Sequence, residues 1–333
     1  MMPDGWVLAA SSFNWTPEVI RAQRSAHDLV VGIAADGVAE VIEVEAGQVW
    51  RGFPTPTDVE TDVLRDALTS AGARVSVLGA SIDDYTSTGS RRTDDERLAF
   101  LLPQLKAAHR LGADGIRLPI GQAGRPLLER LQPLLHELEL ILFEEIQGQQ
   151  SPQNPQTAEA IETIADFADP RLRLICDTSM LMPSLPPTYL EQLRRGGVAD
   201  DLVDQLTHSW RDPATLDAVR AALSSNAVPP ATHTLFMNLL IRFGRSDVDD
   251  LRDVVGLIGG FHLKFWDLDD GDDRVSGPIR ALGRMLAGTE FRGTFTSEWG
   301  GHEWLDDLKP TEATRRHLAL ARAALADGVA LER

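Results

Sequence analysis

The residues best suited to chemistry in this chain are an imidazole and an amine, two positions apart in the apolar run Gly259-Gly260-Phe261-His262-Leu263-Lys264-Phe265. Two is the strand period, so His262 and Lys264 leave the same face of a strand. Three other short apolar runs end in acid: Leu140-Ile141-Leu142-Phe143-Glu144-Glu145, Leu172-Arg173-Leu174-Ile175-Cys176-Asp177 and Gly293-Thr294-Phe295-Thr296-Ser297-Glu298. Read as neighbouring strands, the four runs bring Glu145, Asp177, His262 and Glu298 to one divalent ion. Three carboxylates and one imidazole, without a thiolate, form an oxygen-rich set that suits Mn2+ first and Mg2+ or Co2+ next, and not a structural zinc. Such an ion can hold two adjacent sugar oxygens and stabilise the enediolate formed when a proton leaves the carbon beside a carbonyl. A carboxylate or amine nearby then moves that proton. Glu144 competes with Glu145, because neighbours on a strand face opposite ways.

The elements that must position these groups follow a repeating rhythm. Residues 6–10 and Val38 to Glu43 read as the first two strands. Thr57-Asp58-Val59-Glu60 and Thr93-Asp94-Asp95-Glu96 are capping boxes that open helices closed by Gly72 and Gly112, and Pro103 predicts a kink in the second. Arg74 to Leu78 and Gly115 to Pro119 are strands three and four, with a helix over Pro126 to Leu138. Leu140 to Glu145, Leu172 to Asp177, Leu257 to Phe265 and Gly293 to Glu298 complete eight, with a last helix from Thr311 to Ala326. Strand–helix units repeated eight times predict a (β/α)8 TIM barrel, with a doubly wound open sheet as the alternative. Between strands six and seven the rhythm breaks. Residues 183–256 are rich in proline and helical pattern, and are read as an insertion over the mouth of one barrel domain spanning 1–333.

The formal net charge of −18 over 333 residues opposes binding to nucleic acid through phosphates. The lone cysteine, Cys176, precludes an internal disulfide and fits a reducing compartment. No basic segment precedes an apolar leader, and no stretch of about 18 apolar residues occurs, so a cytoplasmic protein without a membrane span is expected.

The ordered set of Glu145 in Glu-Ile-Gln-Gly, Asp177 in Cys-Asp-Thr-Ser, His262 in Gly-Gly-Phe-His-Leu-Lys and Glu298 in Ser-Glu-Trp resembles the xylose-isomerase-like barrel superfamily of sugar isomerases and epimerases. The resemblance covers nearly all of the chain outside the insertion. It implies that these four are the metal ligands, with Glu145 preferred over Glu144, and that the two glutamates exchange the substrate proton as in ketose 3-epimerases. Two departures point away from a standard epimerase: Met180 and Gly260 stand where epimerases usually carry histidines. The insertion, the Glu-Ile-Gln-Gly stretch and the Met-Pro-Ser-Leu-Pro run resemble the large subunit of C-glycoside deglycosidases. That narrower likeness implies cleavage of 3-oxo C-glycosides by proton removal beside the ketone, with a small β-rich subunit as partner. A homo-oligomer is the other assembly considered. A barrel that binds a sugar or metal without turnover is the non-enzymatic alternative, motivated by the missing histidines.

Around this core set, Lys264 either polarises a substrate oxygen and shuttles a proton or forms an ion pair with Glu298 or Asp177. Gln147 can hydrogen-bond a hydroxyl, Arg117 can bind substrate or brace the barrel, and His302 can reach the mouth as acid or base. Tryptophans 15, 50, 266, 299 and 304 can give an apolar wall to a sugar or aromatic aglycone, Trp266 foremost. His208 and His233 lie in the insertion, and Cys176 is expected in the core. The acidic run Asp267 to Asp273 lacks the glycine and glutamate spacing of a calcium loop and reads as solvated.

Overall fold

The computed structural model describes residues 1–305 and 307–332. Eight parallel strands close a barrel in chain order: β1 (Trp6–Ser11), β2 (Val41–Glu45), β3 (Arg74–Gly79), β4 (Gly115–Pro119), β5 (Ile141–Ile146), β6 (Leu172–Asp177), β7 (Ile258–Phe265) and β8 (Gly293–Trp299). Pairing of Trp6 with Gly293 through Ala10 with Ser297 joins β1 to β8 and leaves no sheet edge. Strands enclosed by helices are buried on both faces, which is why they read as short continuous apolar runs.

Both expected capping boxes form. Thr57 and Thr93 accept from the backbone N–H of Glu60 and Glu96, whose carboxylates accept from the threonine N–H groups at 2.8 Å. Gly112, at φ +76°, ends the helix Asp94–Leu111, which runs through Pro103.

The second strand differs from expectation. Val38 belongs to the end of a helix over Ala26–Ala35: Gly37 is left-handed, and the N–H groups of Gly37 and Val38 donate to Ala34 and Ile33. This left-handed cap captures Val38, so β2 begins at Val41 and extends to Glu45. Glu43 thus sits mid-strand and Glu45 at the mouth.

One irregularity in β7 decides what faces inward. Between Leu174 with Ile258 and Ile175 with Gly260, β7 carries an extra residue, Gly259. An odd insertion reverses the facing of everything after it. Asp177 then lies beside His262, and Lys264 beside Glu298.

Between β6 and β7 lie helices Pro187–Arg195, Asp200–His208, Pro213–Ser224 and His233–Ile241, then a 3-10 segment over Val248–Leu257. They gather an apolar core around Tyr189, Phe236 and Phe243, with Trp266 of the β7 loop packed into it. The return segment is tied to the barrel mouth. Gly244 and Ser246 donate to the carbonyls of Ser179 and Met180 at 2.7 and 2.9 Å, and Gln149 donates to that of Ile241 at 3.2 Å. The acidic run after β7 is solvated only in part. Asp269, Asp272 and Asp273 are exposed, but Asp267 is buried and accepts from the Thr188 hydroxyl at 2.7 Å. Among the described residues no helix is long and apolar enough to cross a membrane.

Candidate metal centre at the barrel mouth

Strand alternation and the Gly259 bulge aim the four singled-out residues at one point. One ligating atom from each of Glu145, Asp177, His262 and Glu298 lies within 4.8 Å of the other three, and all four residues are buried. Around an ion with bonds of about 2.1 Å, opposed ligands stand about 4.2 Å apart, so the group needs little closure to take one. Glu144 faces away, accepting from the Gly121 N–H at 2.7 Å, and burial pushes its carboxyl up to about 7.

The donor inventory shows why a cation fits. His262 Nδ1 lies 2.8 Å from both Glu145 Oε1 and Glu298 Oε2, but a ring nitrogen carries at most one proton. Glu298 Oε2 and Asp177 Oδ2 are buried and accept no hydrogen bond. Asp177 is pushed up to about 6, chiefly by burial, with Glu298 and Glu145 adding to it against the pull of Lys264. Burial acts on Glu298 in the same direction, but Lys264 and His262 outweigh it and hold that carboxyl well below its ordinary range. With Glu43 and Glu45 close by, five carboxylates face, among the described residues, the fixed charges of Arg117 and Lys264 and the His262 ring, whose protonation burial opposes but Glu43, Glu298 and Glu145 hold well above its ordinary range. A divalent ion held there would correct that imbalance, and an oxygen-rich set of this kind is one that could take it.

Two residues of this assembly escaped the reading of the sequence. Glu43 is fully buried and accepts from His262 Nε2 at 2.9 Å and from Arg117 Nε at 2.8 Å. Glu45 accepts from Arg117 Nη2 and lies flat against Gly79, where an added Cβ would stand 2.1 Å from Oε2. The signal was present in Val41-Ile42-Glu43-Val44-Glu45, whose acids alternate at the strand period. Placing the strand end at Glu43 hid it.

Above the cluster opens a cavity of about 660 Å³. Its walls include Lys264, Arg117, Gln147 and Trp266, with Phe13 on one side and Leu240 and Ile241 of the insertion on another. Lys264 donates to Glu298 Oε1 at 2.6 Å, so the ion pair is real and still faces the cavity. Arg117 reaches the wall, but Nε, Nη1 and Nη2 are each taken by a carboxylate, Glu145 Oε2 at 2.6 Å among them. It therefore braces the three carboxylates, and one N–H on each of Nη1 and Nη2 remains for a ligand in the cavity. Gln147 is among the lining residues, and its backbone N–H donates to the Gln150 side-chain oxygen at 3.1 Å.

His302 is not among the lining residues. Its ring packs against Phe13 and Trp299, and burial followed by the charge of Lys264 pushes it down to about 4, so it is neutral near pH 7. Of the five tryptophans, Trp266 lines the cavity; Trp15, Trp50 and Trp299 are core. His208 and His233 are exposed away from it. Cys176 is buried, with its thiol pushed up by burial.

No protein-family model matches the chain. Over 332 residues it is 26% identical to a C-glycoside deglycosidase alpha subunit of Arthrobacter globiformis, spanning 98% of this chain and 94% of that protein. A 3'-dehydrocarminate deglycosidase alpha subunit of a Microbacterium species is 25% identical over 323 residues, 92% of this chain and 91% of that one. The crystal structure of a D-psicose 3-epimerase, determined in the presence of D-fructose, superposes with a TM-score of 0.56 at 14% identity, covering 96% of this chain and 99% of that one. The fold is therefore the closed barrel seen in that epimerase, and the likeness to the deglycosidase alpha subunits runs over more than nine-tenths of the chain.

Proposed function

We propose that the chain is a divalent-metal-dependent enzyme that removes a proton from the carbon beside a sugar ketone, acting as the alpha-type subunit of a C-glycoside deglycosidase on 3-oxo glycosides. The observation that carries this reading is the convergence of Glu145, Asp177, His262 and Glu298 within 4.8 Å at the base of the mouth cavity. The names of the relatives supply the substrate class. These four residues would hold the ion, Mn2+ first and Mg2+ or Co2+ next, and it supplies positive charge for the oxygen on which charge collects as the proton leaves.

The chain's own residues do the rest. Glu145 and Glu298 are the carboxylates placed to take the proton and return one. Lys264 keeps Glu298 ionised and turns its remaining N–H bonds toward a substrate oxygen. Gln147 offers an amide to a hydroxyl, and Trp266 gives an apolar surface. His302, packed behind Phe13, supports the wall.

In a 3-oxo C-glycoside the C–H bond of the carbon that lies between the ketone and the anomeric carbon breaks first, and its electron pair forms an enolate. That pair then makes the ring C=C bond as the bond to the aglycone breaks. The aglycone carbon keeps the bonding pair and takes the proton returned by the glutamate. A small β-rich second subunit is the expected partner, supported by the "alpha subunit" in the relatives' names, and the cytoplasm is the expected compartment.

The test is metal analysis of protein purified without chelator, with H262A and E298Q alongside, then deuterium uptake from D2O into a 3-oxo glucoside. About one ion per chain, lost in both variants, and uptake abolished by chelation are expected. Full uptake after exhaustive chelation would sink the reading.

A further inference from the structure

We infer that Glu43 and Arg117 are positioning residues of the metal centre: Glu43 selects which ring nitrogen of His262 faces the ion, and Arg117 reserves one oxygen of Glu145 for bracing and leaves the other to the ion. This rests on the metal-dependent reading above.

Three charge-assisted hydrogen bonds tie the two residues to two of the ligands, and the point facing the ion closes the circuit. His262 Nε2–H donates to Glu43 Oε2 at 2.9 Å, and Arg117 Nε–H donates to Glu43 Oε1 at 2.8 Å. Arg117 Nη1–H donates to Glu145 Oε2 at 2.6 Å, and the other oxygen, Glu145 Oε1, stands 2.8 Å from His262 Nδ1. The circuit joins β2, β4, β5 and β7 across the barrel interior, between strands that are not all neighbours. Glu43 is fully buried and does not line the cavity, so substrate does not meet it.

An ionised carboxylate only accepts, so Nε2 must be the donor toward Glu43. A ring that ligates an ion is neutral and has one N–H, so Nδ1 would then carry a lone pair at the point it shares with Glu145 Oε1 and Glu298 Oε2. Three electron-rich atoms meeting there call for a cation between them. A doubly protonated ring would satisfy only one of the two carboxylates. Arg117 acts likewise on Glu145: with Oε2 held, Oε1 is the oxygen that turns to the shared point. A planar guanidinium spans Glu43, Glu45 and Glu145 at once, which an ammonium cannot do.

The experiment is a Mn2+ titration of the full chain, read as free Mn2+ by electron paramagnetic resonance, for the parent, E43Q and R117K. Loss of an outer carboxylate that orients a ligating histidine weakens metal binding about 10- to 100-fold, and this is the expected rise in Kd for E43Q. R117K, which keeps the charge and loses the fork, is expected to lie between E43Q and the parent. Long-range 1H–15N spectra of the Mg2+-loaded protein, with His262 assigned by H262A, give a readout that a merely structural role would not move. The parent is expected to show His262 protonated at Nε2, and E43Q to lose that preference. Parent binding with an unchanged Kd and unchanged ring protonation in E43Q overturns the inference alone. No Mn2+ binding by the parent overturns both the inference and the metal-dependent reading. If E43Q does not fold, R117K decides by the same titration, and a Kd equal to that of the parent refutes the circuit.

Discussion

His317 offers a test of how the barrel wall behind Glu298 is held. The ring is fully buried in the helix Pro310–Leu331, shares a 2.8 Å hydrogen bond between Nδ1 and the Ser297 hydroxyl, and stacks on Phe265 at 3.9 Å. Its Nε2 has no partner, and burial pushes the imidazole down from 6.5 to about 3. A base whose folded pKa is depressed favours the fold above its unfolded pKa, and that contribution is lost as pH falls through the window from 6.5 toward 3. Between pH 7 and pH 5 the unfolded chain takes up most of one proton at this site and the folded chain takes up almost none. The linkage relation then gives a loss of about 2 kcal/mol. Unfolding entropy scales with length, and a chain of 333 residues loses about 1.4 °C of Tm per kcal/mol, so the shift is about 3 °C. Other groups titrate in the same range, so the quantity to measure is a difference. Calorimetric Tm values at pH 7 and pH 5 are compared for the parent and H317Q, whose amide retains a bond to Ser297 without gaining a proton. The fall on acidification is expected to be about 3 °C smaller in H317Q. Equal falls in the two proteins refute the assignment of His317 as a buried neutral ring.

Three further predictions concern the insertion and the core. Gly244→Ala puts a Cβ 2.3 to 2.5 Å from the Gly148 carbonyl, Met180 Cα and the Met180 carbonyl, all backbone atoms with little room to give. A cost of about 1–3 kcal/mol is expected as a drop in Tm of about 1–4 °C, and an unchanged Tm contradicts this docking. Ile241 is 59% exposed in the cavity wall, so Ile241→Asn is expected to lower kcat/KM for a 3-oxo glycoside with an aromatic aglycone about tenfold relative to its methyl counterpart. An unchanged ratio refutes contact between Ile241 and the aglycone. Cys176, buried and with a raised thiol pKa, is expected to resist a thiol-reactive dye in the native protein and to react fully once unfolded, a result checked by absorbance.

The amino-acid sequence by itself determined what depends on local geometry. Apolar runs ending in Glu145, Asp177, His262 and Glu298 specify strands with polar tips, because the strand period is intrinsic to the backbone. Thr57 with Glu60 and Thr93 with Glu96 specify helix starts, because a capping box closes over three residues. The cap that takes Val38 into a helix end is local as well, made by Gly37 with bonds to Ala34 and Ile33, and the tertiary structure alone decided what reaches beyond such turns. It decided the facing of His262 through the extra residue at Gly259, which β7 carries relative to β6. It also joined His262 to Glu43 across 219 positions and Arg117 to Glu145 across 28. Those pairings exist because eight strands close on themselves and turn their inner faces toward one another. A period of two residues says which side chains share a face, but only barrel closure says which faces meet.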